Sequence, residues 1–235
     1  MYIGHYALPF AARGRAPKVP LALLWFASVW PDFLWLLLLA LGLERAAIQP
    51  GITVVNALDL QHYPVSHGLL ENAGWSLLFA GGWYAWKRDR GGALWLGGLV
   101  LSHWVLDFLT HRPDLPLVWA APRAGLGLWN HRLASLVVEG GIFVVSLALY
   151  LAASRGRRWW GHALLWLFVA FCLGTYLPDA LGLVPPPPAI RAVLPMLPLG
   201  FLVMLWVHGI DHGREPSPAP DRGIMADGSG VARRP

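Results

Sequence analysis

Charge is what this 235-residue chain has least of: Asp, Glu, Lys and Arg together make up 13% of it. A soluble domain carries roughly 25% charged residues, so about half of the usual solvating charge is missing. Hydrophobic residues account for 56%, and there are 14 Trp. That composition excludes a water-soluble globule and, for most of the chain, disorder. The one cysteine, Cys172, excludes an intrachain disulfide framework and a Cys-rich zinc site. The first residues, MYIGHYALPF, lack a basic n-region and no A-x-A pattern closes the first apolar run, so that run is expected to stay in the mature protein. No Ser nucleophile elbow, Walker loop or H-E-x-x-H helix occurs, and no repeat of fixed period is evident. The expected class is an integral membrane protein.

Spanning a bilayer as a helix takes about 20 mostly apolar residues. Six segments reach that length, at about Val19–Leu43, Leu69–Trp86, Ala93–Thr110, Leu133–Ala153, Trp159–Val184 and Ala189–His208. The fold expected is an all-α, polytopic bundle of about six transmembrane helices over residues 1–212, followed by a disordered, Pro/Gly/Ser-rich tail over 213–235. Basic residues cluster at Arg13–Lys18, Lys87–Arg90, Arg155–Arg158 and in the tail, which puts 13 of 18 on one side. The other side holds Arg45, Arg112, Arg123, Arg132 and Arg191. This split predicts the inner membrane with both termini cytoplasmic, and argues against a nucleic-acid stripe.

Ionisable groups at membrane depth are costly and mark functional sites. Here they are His and Asp with one Glu, and almost no Lys or Arg accompanies them. Imidazole and carboxylate without basic partners point to a divalent cation. The sharpest motif is Ser102-His103-Trp-Val-Leu-Asp107-Phe-Leu-Thr110-His111. Four-residue spacing puts His103 and Asp107 on one helix face. His111 follows on the next turn, offset by about 80°, where Pro113 stops the helix. The alternative is a His–Asp hydrogen bond without metal.

His62-Tyr-Pro-Val-Ser66-His67 is second. Pro64 places His62 in a loop and His67 at the start of the second segment, with Ser66 as its N-cap. The alternative is two exposed loop histidines. Asp32 follows Pro31 within the first segment, either as a ligand or as N-cap of a restarted helix. His5 precedes the basic Arg13–Lys18 cluster, so it reaches the site only if a short helix of about Ile3–Ala12 dips into the bundle. Glu139 is followed by Gly140 and Gly141, which would admit a close neighbouring helix. His208, Asp211 and His212 read as a solvated helix end.

The order His5, Asp32, His62, Ser66-His67, His103-x-x-x-Asp107, Thr110 resembles the YdjM-like family of membrane-bound metal-dependent hydrolases. The resemblance covers about residues 1–140. It implies His5, Asp32, His62, His67, His103 and Asp107 as metal ligands, with Asp32, His67, His103 and Asp107 catalytic. A more distant similarity, to zinc-dependent phospholipase C and single-strand nucleases, adds His111 and Glu139 and makes several ions conceivable. That group's H-x-x-x-E pair is missing here, since His131 lies eight residues before Glu139.

The expected activity is hydrolysis by metal-activated water, with Zn2+ or alternatively Mn2+, on a lipid or phosphoester substrate. Competing readings are a metal-ion or proton-coupled transporter, and a scaffold in which these residues only bond one another.

Overall fold

The computed structural model describes residues 1–119 and 121–217. Among these, the helices are α1 (Ile3–Arg13), α2 (Leu21–Ala40), the one-turn α3 (Pro64–His67), α4 (Leu69–Lys87), α5 (Arg90–Thr110), α6 (Arg132–Ala153), α7 (Trp159–Ala180) and α8 (Met196–His212). Three short antiparallel ladders tie the connections. They pair β1 (Arg45–Ile48) with β2 (Leu58–His62), β3 (Leu115–Pro116) with β4 (Arg123–Ala124), and β5 (Ser154–Gly156) with β6 (Arg214–Pro216).

Each of the six expected segments is a helix. Five stretches are long and apolar enough to cross a membrane: α2, α5, α6, α7 and Ile190–His212, which joins a 3-10 turn to α8. The segment outside that group, α4, starts with Glu71 in its first turn and ends on Lys87. The helices divide into inner and outer members. Of the apolar stretch, 61% is buried in α2 and 56% in α5, against 22% in α6 and in Ile190–His212. Leu133, Val137, Val144 and Val145 of α6 project outward, as expected of a lipid-facing stripe. Ser28 on α2 and His103, Asp107 and Thr110 on α5 are accordingly buried in the bundle.

The aromatic core is built where α1, α2, α6, α7 and α8 meet, around Phe10, Trp25, Phe33, Phe143, Tyr150 and Phe168. A second apolar cluster joins α2 to α4 and α5 through Leu24, Ala27, Trp83, Leu96 and Val100. Helix α1 is the short dipping helix that His5 requires. Its His5-bearing turn is buried, and its last residue, Arg13, donates from Nε to Asp211 Oδ1 of α8 at 2.8 Å.

The basic clusters gather at one end of the bundle. Arg13 meets Asp211, β5 pairs with β6, and Trp83 Nε1 donates to Asp89 Oδ2 in the α4–α5 turn. The β1–β2 and β3–β4 ladders belong to connections at the other helix ends.

Three expectations need correction. Gly140 and Gly141 admit no close helix, because a Cβ at either position would have nothing within 4 Å. Pro31 does not restart a helix: α2 is continuous through it, and Asp32 is an interior residue, not an N-cap. The tail is ordered at its beginning, where Arg214–Pro216 forms a strand; residues 218–235 of the expected tail lie outside the described residues.

Candidate metal centre

Helix α5 supplies the core of the site. His103 and Asp107, one turn apart, are both buried, with His103 Nε2 3.2 Å from Asp107 Oδ2. Helix α1 brings His5, whose Nε2 lies 2.9 Å from Asp107 Oδ1. The His5 and His103 rings stack with centroids 3.7 Å apart and planes within 8° of parallel, so both aim Nε2 toward the same carboxylate. The amino group of Met1 also contacts Asp107 Oδ1. Asp32 of α2 and His67 of α3 complete the group. Asp32 Oδ1 is 3.6 Å from both His67 Nε2 and His103 Nε2, and His67 Nε2 is 3.6 Å from Asp107 Oδ2.

The ligand atoms form two overlapping triads that share His103. His5, His103 and Asp107 have donor atoms within 4.8 Å of one another, and so do Asp32, His67 and His103. A divalent ion held by His nitrogen and carboxylate oxygen sits about 2 Å from each donor, so donors this close can share one.

The far side of each imidazole decides what its Nε2 can do. His103 Nδ1 is 2.8 Å from the Ser28 carbonyl, which only accepts, so the proton is on Nδ1. His67 Nδ1 is 2.8 Å from Ser66 Oγ. That hydroxyl donates its own proton to Glu44 Oε2 at 2.6 Å, and must accept from His67. His111 Nδ1 donates to Asp114 Oδ1 at 3.1 Å. In each of these three imidazoles Nδ1 is accounted for and Nε2 faces Asp107, and in two of them it faces Asp32 as well.

Where such an Nε2 carries no proton, its lone pair facing a carboxylate calls for a cation between them. Among the described residues His103 Nε2 is buried with no hydrogen-bond partner, as is His5 Nδ1. Tying back Nδ1 while freeing Nε2 is the arrangement that supports metal-ligating histidines. The donor set fits a divalent metal.

Local sequence explains this placement. Pro31 returns no N–H to the preceding turn of α2 and its ring presses on it. In that turn Ser28 accepts from His103 through its carbonyl and donates its hydroxyl to the His5 carbonyl at 2.8 Å, locking α1 and α5 onto α2. Pro64 opens α3 at its first position, and one turn later His67 points inward beside the buried Tyr63 ring. Ser66 is interior to α3 and is not the N-cap of α4, which starts after Gly68.

Beyond α5, the His111 N–H still bonds the Asp107 carbonyl at 2.7 Å, and His111 Nε2 lies 3.9 Å from Asp107 Oδ2. Asp114 is shared by His111, Arg112 and the Tyr63 hydroxyl. Burial opposes its charge, but the His111 hydrogen bond and the Arg112 guanidinium hold it below the usual carboxylate range.

Two expected ligands stand apart. His62 ends strand β2 opposite Arg45 and stacks edge-on against Trp119, outside both triads. The strand-to-helix turn at Tyr63 separates it from His67, which alone enters the bundle. Glu139 is buried on α6, but it also lies outside the triads. It accepts the Tyr2 N–H through Oε2 at 2.9 Å, and its Oε1 has no hydrogen-bond partner.

Ser28, Glu44, Tyr63 and Asp114 were not singled out from sequence. Glu44 is 1% exposed, and the available signal was a lone carboxylate directly after an apolar run.

The two carboxylates differ in access. The Asp107 side chain is 2% exposed and that of Asp32 44%, so the cluster is closed on one side and open on the other. Comparison with protein-family models, curated proteins and solved structures finds no match to this chain.

Proposed function

We infer that the chain is a membrane-embedded, metal-dependent hydrolase acting on a lipid or lipid-linked phosphoester. The observation that carries this reading is the common orientation of the histidines: Nδ1 is tied back in His67, His103 and His111, and every Nε2 turns toward Asp32 or Asp107. His5, Asp32, His67, His103 and Asp107 would hold the metal, with zinc the ion best suited to imidazole and carboxylate and manganese an alternative. A divalent ion supplies activation of water near neutral pH and polarisation of a phosphoryl or acyl oxygen.

The remaining steps belong to the chain. Asp107 and His103 form the buried wall that fixes the donors. Asp32, the reachable carboxylate, accepts the proton of the attacking water. Ser28 and Glu44 keep His103 and His67 in the tautomer whose Nε2 is free. Substrate approaches from the Asp32 side, within the membrane-spanning part of the bundle, which favours an amphiphile over a freely diffusing solute. The resemblance to the YdjM-like family supports the same assignment, and the basic clusters at one end favour an inner-membrane protein with that end cytoplasmic.

The test is metal content and phosphoester turnover of the full-length protein in detergent. Bound zinc or manganese at one or more ions per chain is expected, with phospholipid hydrolysis abolished by chelator and restored by metal. Metal without turnover on any phosphoester or acyl ester would favour a carrier, and no metal at all would leave a scaffold.

A further inference from the structure

At the opposite end of α1, eight residues and about 12 Å of helix from His5, lies a second polar constellation that the hydrolase does not use. A recess partly open to solvent, with room of about 60 Å³ for the centres of water-sized molecules, is lined by residues that include Arg13, Tyr150, Ser154, Asp211, Arg214 and Glu215. We propose that this recess binds a phosphate-bearing anion, with Arg214 and the Tyr150 hydroxyl as its donors.

Charge is the first argument. Arg13 pairs with Asp211 at 2.8 Å, and the second Asp211 oxygen accepts the Leu21 N–H at 3.0 Å. Arg155 pairs with Glu215 at 2.8 Å. Both acids of the recess are therefore already neutralised. Arg214 is 7% exposed, yet no carboxylate partners it among the described residues. Its Nε and Nη2 donate to Ser154 Oγ and to the Ser154 carbonyl, at 3.1 and 2.8 Å. Its Nη1 has only a 3.4 Å contact with His162 Nδ1. A buried guanidinium without a counter-ion is costly, and an arriving anion removes that cost.

Tyr150 is the second, independent argument. It is 1% exposed, its ring lies 5.3 Å from the Arg214 guanidinium carbon, and its hydroxyl makes no hydrogen bond within 3.5 Å among the described residues. Buried tyrosine hydroxyls ordinarily find a partner. A purely structural role for Arg214, clamping β6 to the end of α6, accounts for its two Ser154 bonds. It does not account for an idle hydroxyl beside an open recess.

Location supplies the third argument. The recess sits in the basic end of the bundle, near Arg13, Arg155 and β6, and basic pockets between membrane helices at that level bind anionic headgroups. The same phosphate chemistry is offered by an anionic phospholipid or by free phosphate.

The test uses the full-length protein with phosphatidylglycerol vesicles, phosphatidylcholine vesicles and inorganic phosphate as probes. Saturable binding of phosphatidylglycerol over phosphatidylcholine is expected, weakened about tenfold in Tyr150→Phe, the cost of one lost hydrogen bond to a charged group. Arg214→Gln should weaken it further. Competition by inorganic phosphate would identify a free anion as sufficient, and its failure to compete would identify the lipid headgroup.

Tyr150→Phe removes only an unpartnered hydroxyl, so it keeps the test sound if Arg214→Gln does not fold. Wild-type-like binding in Tyr150→Phe, or the absence of saturable binding to both anionic probes, overturns the proposal. Metal content should be unchanged in Tyr150→Phe whatever the fate of the hydrolase reading.

Discussion

Ser66 donates its hydroxyl proton to Glu44 Oε2 at 2.6 Å, and the Ser66 N–H donates to Glu44 Oε1 at 3.0 Å. Because a carboxylate only accepts, the direction of both bonds is fixed, and with it the tautomer of His67. Glu44→Gln offers an amide N–H₂ where Oε2 stood. The Ser66 hydroxyl then turns to donate to His67 Nδ1, which moves the imidazole proton to Nε2 and blocks ligation. Metal affinity is expected to fall about 10–100-fold, the usual cost of losing an outer partner of a metal-ligating histidine. Competition against a chelator of known affinity measures it, and an unchanged affinity would remove Glu44 from the site.

His103 belongs to both triads, so its loss should damage the site most. In His103→Ala the bound metal is expected to drop to background, together with any hydrolytic activity. His111→Ala should weaken binding less, because its Nε2 lies 3.9 Å from Asp107 and belongs to neither triad. Elemental analysis of the two purified variants side by side checks the ranking; equal loss would mean that His111 moves in to ligate.

Helix periodicity made part of this site readable in the sequence. His103 and Asp107 are one turn apart on an apolar helix, and a carboxylate at that depth demands a partner. His5 was harder, because charge alone put it on the wrong side, and only the dip of α1 brings it to Asp107. Ser28 was illegible for a different reason. Its contribution to His103 is a backbone carbonyl in the turn before Pro31, which no residue type announces. The Arg214–Tyr150 recess depends on β6 folding back onto the end of α6, a contact between residues about 60 apart in sequence that local pattern does not encode.

His62 is the control. It stands at the end of β2 with its ring 6.4 Å from that of Trp119, and no cluster ligand contacts it. His62→Ala is expected to keep the wild-type metal stoichiometry and turnover, and to change stability by no more than about 0.5 kcal/mol. A loss of metal in this variant would mean that the β1–β2 ladder closes over the site in the working protein.

Two glycines, one within α6 and one at the start of α7, should respond oppositely to a methyl group. Gly140 on α6 faces open space, so Gly140→Ala is expected to be neutral or to stabilise by up to about 1 kcal/mol through helix propensity. Gly161 on α7 packs directly on the backbone of Gly213, and an added Cβ would stand 2.7 Å from Gly213 Cα. Backbone cannot swing aside as a side chain can, so α7 and α8 must separate. Gly161→Ala should cost about 1–3 kcal/mol, the range for overpacking. The displacement acts on the residue next to Arg214, whose place in the recess depends on Gly213 accepting the Arg157 and Arg158 N–H groups at 3.1 and 3.2 Å. Anion binding should therefore fall in Gly161→Ala while metal binding by the cluster on α1, α2, α3 and α5 stays at its wild-type level. Denaturant unfolding, phosphatidylglycerol binding and metal analysis on one preparation test the three parts together. Loss of metal along with the anion would show that the two ends of the bundle are mechanically one unit.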